Sequence, residues 1–183
     1  MMKGILFAAL SSVAMMACMS DAPEEAQGGD QDTAVVDQSV TTFNRIRNKQ
    51  YQQCVVPTTA NINETLRLAT CTATSFERWS LVSTGAANTY FLVNKATGLC
   101  AEVNNGTATP GERVDQFTCN GSTAEQWIAV PVLGNDGLQY FKFQHAGTNL
   151  CLDTVSGSGS NLMQWLCNDA NPADAQLWRL ETL

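Results

Sequence analysis

The densest group of side chains able to do chemistry lies near the end of the chain. It runs from Asn149-Leu150-Cys151-Leu152-Asp153 to Gln176-Leu177-Trp178 and encloses Met163-Gln164-Trp165-Leu166-Cys167. It holds two thiols, a carboxylate, an indole and an amide. Upstream, Glu102 and Asp115 form a carboxylate pair of the kind glycoside hydrolysis employs. The single His145 sits in Gln144-His145-Ala146-Gly147, which reads as an exposed loop residue rather than a general base. No Gly-x-Ser-x-Gly, His-Glu pairing or metal-ligand cluster accompanies it, so the residues point away from an enzyme and imply no cofactor.

The seven Cys divide into six plus one. Cys54/Cys71, Cys100/Cys119 and Cys151/Cys167 are 17, 19 and 16 residues apart, and each pair falls within one copy of a recurring pattern. None forms Cys-x-x-Cys and the only His is isolated, so three local disulfides are a better reading than zinc. Disulfides require an oxidising compartment. The N-terminus supplies the route: Lys3 precedes a mostly apolar run of thirteen residues, Gly4 to Met16. That is short of the roughly 20 residues of a bilayer span and has the order of a secretory signal. Met15-Met16-Ala17-Cys18 resembles a bacterial lipoprotein signal. Residues 1–17 are then a signal peptide and Cys18 is the lipidated first residue, which accounts for the odd Cys. Cleavage near Ser20, giving a secreted protein, is the alternative.

Charge is distributed unevenly. Residues 18–38 carry six acids and no Lys or Arg, whereas residues 39–183 carry nine basic and eleven acidic groups, a net charge of −2. The first segment cannot bury enough apolar surface to offset chain entropy, so residues 18–40 read as a disordered acidic tether. The remainder has no basic stripe to neutralise phosphates, which argues against nucleic acid as a partner.

From Thr41 onward, short apolar runs alternate with Gly, Asn, Thr and Pro, and no helical period persists. Arg45-Ile46-Arg47, Thr65-Leu66-Arg67-Leu68, Trp79-Ser80-Leu81-Val82, Tyr90-Phe91-Leu92-Val93, Gln126-Trp127-Ile128-Ala129-Val130 and Tyr140-Phe141-Lys142-Phe143 read as strands. An internal repeat organises them. First Cys positions 54, 100 and 151 are spaced 46 and 51 apart, second Cys positions 71, 119 and 167 are 48 and 48, and Trp79, Trp127 and Trp178 are 48 and 51. Three units of about 48 residues, each with an internal disulfide, predict an all-β assembly of threefold pseudosymmetry. Its closure removes exposed edges, and one Trp per unit converges into a shared core.

Residues 41–183 resemble the ricin B-type β-trefoil lectin family. The likeness rests on Gly98-Leu99-Cys100, Asn149-Leu150-Cys151, the internal Cys pairs, Cys119-Asn120-Gly121 and the closing Gln176-Leu177-Trp178. Only the third unit keeps a true Gln-x-Trp; the others read Glu77-Arg78-Trp79 and Glu125-Gln126-Trp127. The resemblance implies a shallow sugar pocket in up to one site per unit. A carboxylate two residues after the first Cys accepts hydroxyl hydrogen bonds, and an aromatic two residues before the second Cys stacks on the sugar's C–H face. In the third unit these positions are Asp153 and Trp165, with Gln176 closing and Met163 bordering the ring. The Asn the family often places before the closing Gln is Ala175 here, and Asn168, Asp169 and Asn171 are its candidate substitutes. In the second unit the positions are Glu102 and Phe117, with Asp115 on the Phe117 face and Glu125 at the closing position, where neighbouring carboxylates would repel unless bridged. In the first unit Val56 and Ala69 stand there and can do neither task, so that unit is expected to be structural.

The expectation is therefore a non-catalytic carbohydrate-binding module at the cell envelope or outer membrane. It would touch the membrane through its lipid alone and bind galactose-type or xylan-type glycan mainly through the third unit. A trefoil that has lost sugar binding and serves as an envelope interaction or inhibitor module is the alternative.

Overall fold

The computed structural model describes residues 42–154, 159–168 and 174–183. The expected signal peptide, lipidated Cys18 and acidic tether lie outside them. Ser39–Leu183 forms one compact unit. Its described residues form thirteen strands: β1 (Asn44–Asn48), β2 (Cys54–Val56), β3 (Glu64–Thr65), β4 (Arg67–Ala69), β5 (Arg78–Ser83), β6 (Thr89–Asn94), β7 (Cys100–Val103), β8 (Val114–Phe117), β9 (Gln126–Leu133), β10 (Gln139–His145), β11 (Cys151–Thr154), β12 (Leu162–Trp165) and β13 (Trp178–Thr182). The helical turns among the described residues are single 3-10 turns.

Six strands close on themselves in the order β1–β5–β6–β9–β10–β13–β1, every neighbour antiparallel. Closure leaves this ring with no free edge. Three short hairpins, β2/β4, β7/β8 and β11/β12, lie outside that ring, one per unit. The architecture is a β-trefoil. Each ring strand sends one large apolar side chain inward: Ile46, Trp79, Leu92, Trp127, Phe143 and Trp178, none more than 1% exposed.

Burying an indole is costly unless its N–H finds a partner. The three units solve this identically. Nε1 of Trp79, Trp127 and Trp178 donates to the carbonyls of Val55, Ala101 and Leu152, at 2.9, 2.9 and 3.2 Å. Each acceptor directly follows the unit's first Cys, so the Trp ties the ring to its hairpin. The disulfides Cys54–Cys71, Cys100–Cys119 and Cys151–Cys167 close the same hairpins, with Cα separations of 5.3, 5.1 and 5.0 Å.

Successive units are stitched together at a fixed period. Asn63, Gly111 and Gly159, 48 residues apart, all have left-handed backbone (φ 61°, 89° and 78°). Each donates its N–H to a hairpin carbonyl of another unit: Gln116 at 2.9 Å, Gln164 at 2.7 Å and Leu68 at 3.1 Å. Two of those hairpin residues return the grip. Gln116 Nε2 donates to the carbonyls of Thr59 and Asn61 at 2.8 and 2.7 Å, and Gln164 Nε2 to those of Thr107 and Thr109 at 2.6 and 3.1 Å.

Candidate functional site

In the third unit, β11 and β12 pair Cys151 with Trp165 and Asp153 with Met163. Residues directly opposite on an antiparallel pair share a face. Leu152, Leu162 and Gln164 face inward and are buried, which leaves Asp153, Met163 and Trp165 together on the outer face. Trp165 is 44% exposed, whereas the other three Trp are fully buried. Its ring rests on the left-handed turn at Gly111, where an added Cβ would lie 3.2 Å from Cζ3. The second unit thus supplies the floor on which the third unit's ring stands.

Asp153 is held rather than loose. Its Oδ2 accepts from Gln176 Nε2 at 2.8 Å and its Oδ1 from the Thr154 N–H at 2.6 Å. Each carboxylate oxygen has two acceptor sites, so both retain capacity for an incoming hydroxyl. Gln176 is 2% exposed, and the rest of its amide is engaged too: Nε2 donates to the Leu166 carbonyl at 2.8 Å and Oε1 accepts from the Asn168 N–H at 3.0 Å. Gln176 was expected among the sugar contacts. The geometry makes it a positioning residue that fixes the Asp153 carboxylate and the loop after Trp165. Of the polar substitutes proposed for the missing Asn, Asn168 spends its N–H on Gln176, and Asp169 and Asn171 lie outside the described residues. Ala175 contributes its carbonyl to Asn48 Nδ2 at 2.8 Å.

The second unit repeats the register, with Cys100 opposite Phe117 and Glu102 opposite Asp115. It differs at the closing position. Glu125 can only accept, and it does so from the N–H groups of Asn120 (3.1 Å to both oxygens) and Gly121 (3.0 Å). It offers no donor to Glu102. Burial, then the charge of Glu125, then that of Asp115 push the Glu102 carboxyl up to about 7. Asp115 is fully buried, which raises its carboxyl; a hydrogen bond to Thr65 and the charge of Arg113, whose Nε lies 2.8 Å from Oδ2, oppose that rise. The expected carboxylate crowding is present, and among the described residues a cation bridges it at Asp115 alone. Phe117 is half-buried.

The first unit has Cys54 opposite Ala69 and Val56 opposite Arg67. It presents neither carboxylate nor ring at the two positions. Glu77 closes the unit, its oxygens taken by the N–H and hydroxyl of Thr72, the N–H of Ala73 and Arg45 Nε, the last at 3.1 Å. These donors hold its carboxyl below the usual range despite burial, which alone would raise it.

His145 is not an exposed loop residue: it is fully buried at the end of β10. Its place explains why. Six residues before the first Cys, Asn48 and Asn94 donate Nδ2 to the carbonyls of Ala175 and Phe76, both at 2.8 Å, while Oδ1 caps the following turn. His145 occupies the third copy of this position, with Nδ1 2.9 Å from Thr148 Oγ1. Burial holds its pKa below the usual imidazole value, against the backbone of Ala124 and Thr123. It is a structural histidine. The sequence also left Gln116 and Gln164 unremarked as clamps, although their spacing of 48 matches the repeat. Among the described residues, no group of three or more His, Cys, Asp or Glu is arranged to hold a metal ion.

Residues 75–165 match the sequence model of a family described as ricin-type β-trefoil lectin domain-like. The matched span covers the second unit and most of the third unit's site, including Asp153 and Trp165. The trefoil is a ricin-type lectin-like domain. No curated protein sequence matches the chain. Among solved structures, the ricin-type domain is similar to the designed threefold-symmetric protein ThreeFoil (TM-score 0.70, 21% identity, covering 77% of this chain and 99% of that one). It is also similar to an exo-β-1,3-galactanase from Clostridium thermocellum (0.69, 20%, 78% of this chain and 30% of that one). A third is a Polyporus squamosus lectin bound to Neu5Acα2-6Galβ1-4GlcNAc (0.66, 17%, 77% of this chain and 49% of that one). At these identities the likeness speaks to fold alone, and this chain spans under half the length of the latter two.

Proposed function

We propose that this ricin-type domain is a non-catalytic carbohydrate-binding module that grips glycan mainly through its third unit. The observation that carries the reading is the triad Gln176–Asp153–Trp165. A buried amide orients a carboxylate, and an exposed indole seated on Gly111 shares its face. Such a carboxylate accepts hydrogen bonds from two adjacent hydroxyls while the ring takes the sugar's apolar side. Galactose-containing glycans are the first class to try, with xylan-type polymers beside them, because the similar lectin holds a galactose-containing ligand and the similar galactanase is named for galactan. A single shallow site gives affinity of about millimolar, about −4 kcal/mol. Lipidation at Cys18 and the acidic segment 18–40 would display many copies on the cell envelope, so that one polymer engages several. The absence of a carboxylate–ring pair in the first unit and the altered closing residue in the second favour the rival, an envelope protein-interaction or inhibitor module.

A glycan array with the full chain separates the two. The lectin reading expects binding that is lost in Asp153→Ala and Trp165→Ala. Binding to protein partners with no glycan signal supports the rival. For the anchor, metabolic labelling with a fatty-acid analogue should mark the wild type and spare Cys18→Ser; equal labelling of both would remove that part of the proposal.

A further inference from the structure

The second and third units share strand register and site positions but differ in one donor. In the third, Gln176 Nε2 gives its N–H to Asp153 Oδ2 at 2.8 Å. In the second, Glu125 stands at the closing position with both oxygens turned to backbone N–H groups, and it has no hydrogen to give. Glu102, the counterpart of Asp153, is only 7% exposed and accepts no hydrogen bond and pairs with no cation among the described residues. Its oxygens still touch solvent, so the donors they lack must come from water or a ligand.

The surroundings of Glu102 say what would satisfy it. Asp115 stands opposite it across β7 and β8, and Glu125 adds a second negative charge. Arg113, beside Asp115, is committed to it and to Asn104 Oδ1, and Glu112 adds an acid there. Phe117, half-buried at the position of Trp165, supplies a ring on the same hairpin face. The oxygens are not disposed to hold a metal ion. A neutral hydroxyl would supply a hydrogen bond but no positive charge to oppose the negative charges of Glu125 and Asp115. An ammonium group supplies both hydrogen bonds and charge.

We propose that the second unit is a site for an amino sugar with a free, protonated amine, its ammonium seated between Glu102 and Glu125 and its ring against Phe117. This rests on the reading of the unit pockets as sugar sites. It assigns the two units different ligands: neutral hydroxyls to the third, a cationic ring to the second.

The test uses the full chain and two probes, glucosamine oligomers and their N-acetylated counterparts, with binding followed by calorimetry near neutral pH and by the ring resonances of Phe117. The proposal expects at least about a tenfold preference for the free amine. Glu102→Gln and Glu125→Gln, both close in shape to the native residue, should each reduce that preference to about twofold or less. Asp153→Ala, which removes the third unit's neutral binding to both oligomers, should not lower that preference. A wild type that binds both oligomers equally, or a preference that survives Glu102→Gln combined with Glu125→Gln, overturns the proposal. Neutral glycan bound through Asp153 with no amine preference would sink this inference alone. An amine preference without neutral glycan binding would uphold this site and remove the third-unit reading instead.

Discussion

Glu102→Gln should make the protein more stable at neutral and alkaline pH and leave it unchanged in acid. The magnitude follows from the site. Burial and two neighbouring carboxylates raise the Glu102 carboxyl from 4.5 to about 7. The folded state therefore binds this proton more tightly than the unfolded state does. Stability is fully present below the unfolded value, falls as pH rises through the interval, and levels off above about 7. A displacement of that size corresponds to about 3 kcal/mol, and salt screening at the open side of the site brings the expectation to about 2 kcal/mol. His145 titrates in the opposite sense. Its folded pKa is lowered, so its contribution is lost as pH falls from 6.5 through the folded value. The two effects overlap in the wild type, and only the difference between variant and parent isolates Glu102. Urea denaturation of both forms across the interval, read by Trp fluorescence, provides that difference. Superimposable pH profiles, or a variant less stable than the parent at alkaline pH, would refute the reasoning about the carboxylate cluster.

Further expectations concern the third unit and the scaffold. Gln176→Glu would put a carboxylate where an N–H now meets Asp153 at 2.8 Å. It should cost about 2–4 kcal/mol near neutrality, partly recovered in acid, and a flat pH response of thermal melting would contradict this. Gly111→Ala forces a Cβ to 3.2 Å from the Trp165 ring at a left-handed φ of 89°. It should cost about 1–2 kcal/mol and change iodide quenching of the one exposed Trp; unchanged quenching would detach Trp165 from that floor. Gln164→Leu removes the donors to Thr107 and Thr109, and about 2 kcal/mol should be lost in chemical denaturation. Replacing Cys151 and Cys167 by Ala opens a loop spanning 16 residues and should cost about 3 kcal/mol by the same assay.

What the sequence disclosed depended on which residues had to repeat. The Trp at positions 79, 127 and 178 and the paired Cys recur because each ties a hairpin to the ring in the same way, so the threefold assembly was legible from spacing. Five of the six strands read from apolar patterning are ring strands β1, β5, β6, β9 and β10. The hairpin strands escaped that reading because they are three or four residues long, and β2, β7 and β11 are buried at every position, so no alternation shows. The Thr65–Leu68 run is instead divided between β3 and β4. Asp153 and Trp165 were legible as a pair, but the sequence could not reveal that Gln176 spends its amide on Asp153, nor that Trp165 stands on Gly111, because both depend on contacts across the fold. His145 misled for a related reason. A polar residue beside Gly147 looks like a loop, whereas its burial follows from occupying the turn-capping position of Asn48 and Asn94.

The central claim is that Asp153 and Trp165 together hold sugar. Titration of the full chain with galactose-type and xylan-type oligosaccharides, followed by the indole resonances of Trp165, tests it most directly. The account predicts saturable shifts of that indole at millimolar sugar, about −4 kcal/mol, abolished in Asp153→Ala while the resonances of the three buried Trp stay in place. Shifts that persist in Asp153→Ala, or an indole that no glycan of either class perturbs, would contradict it.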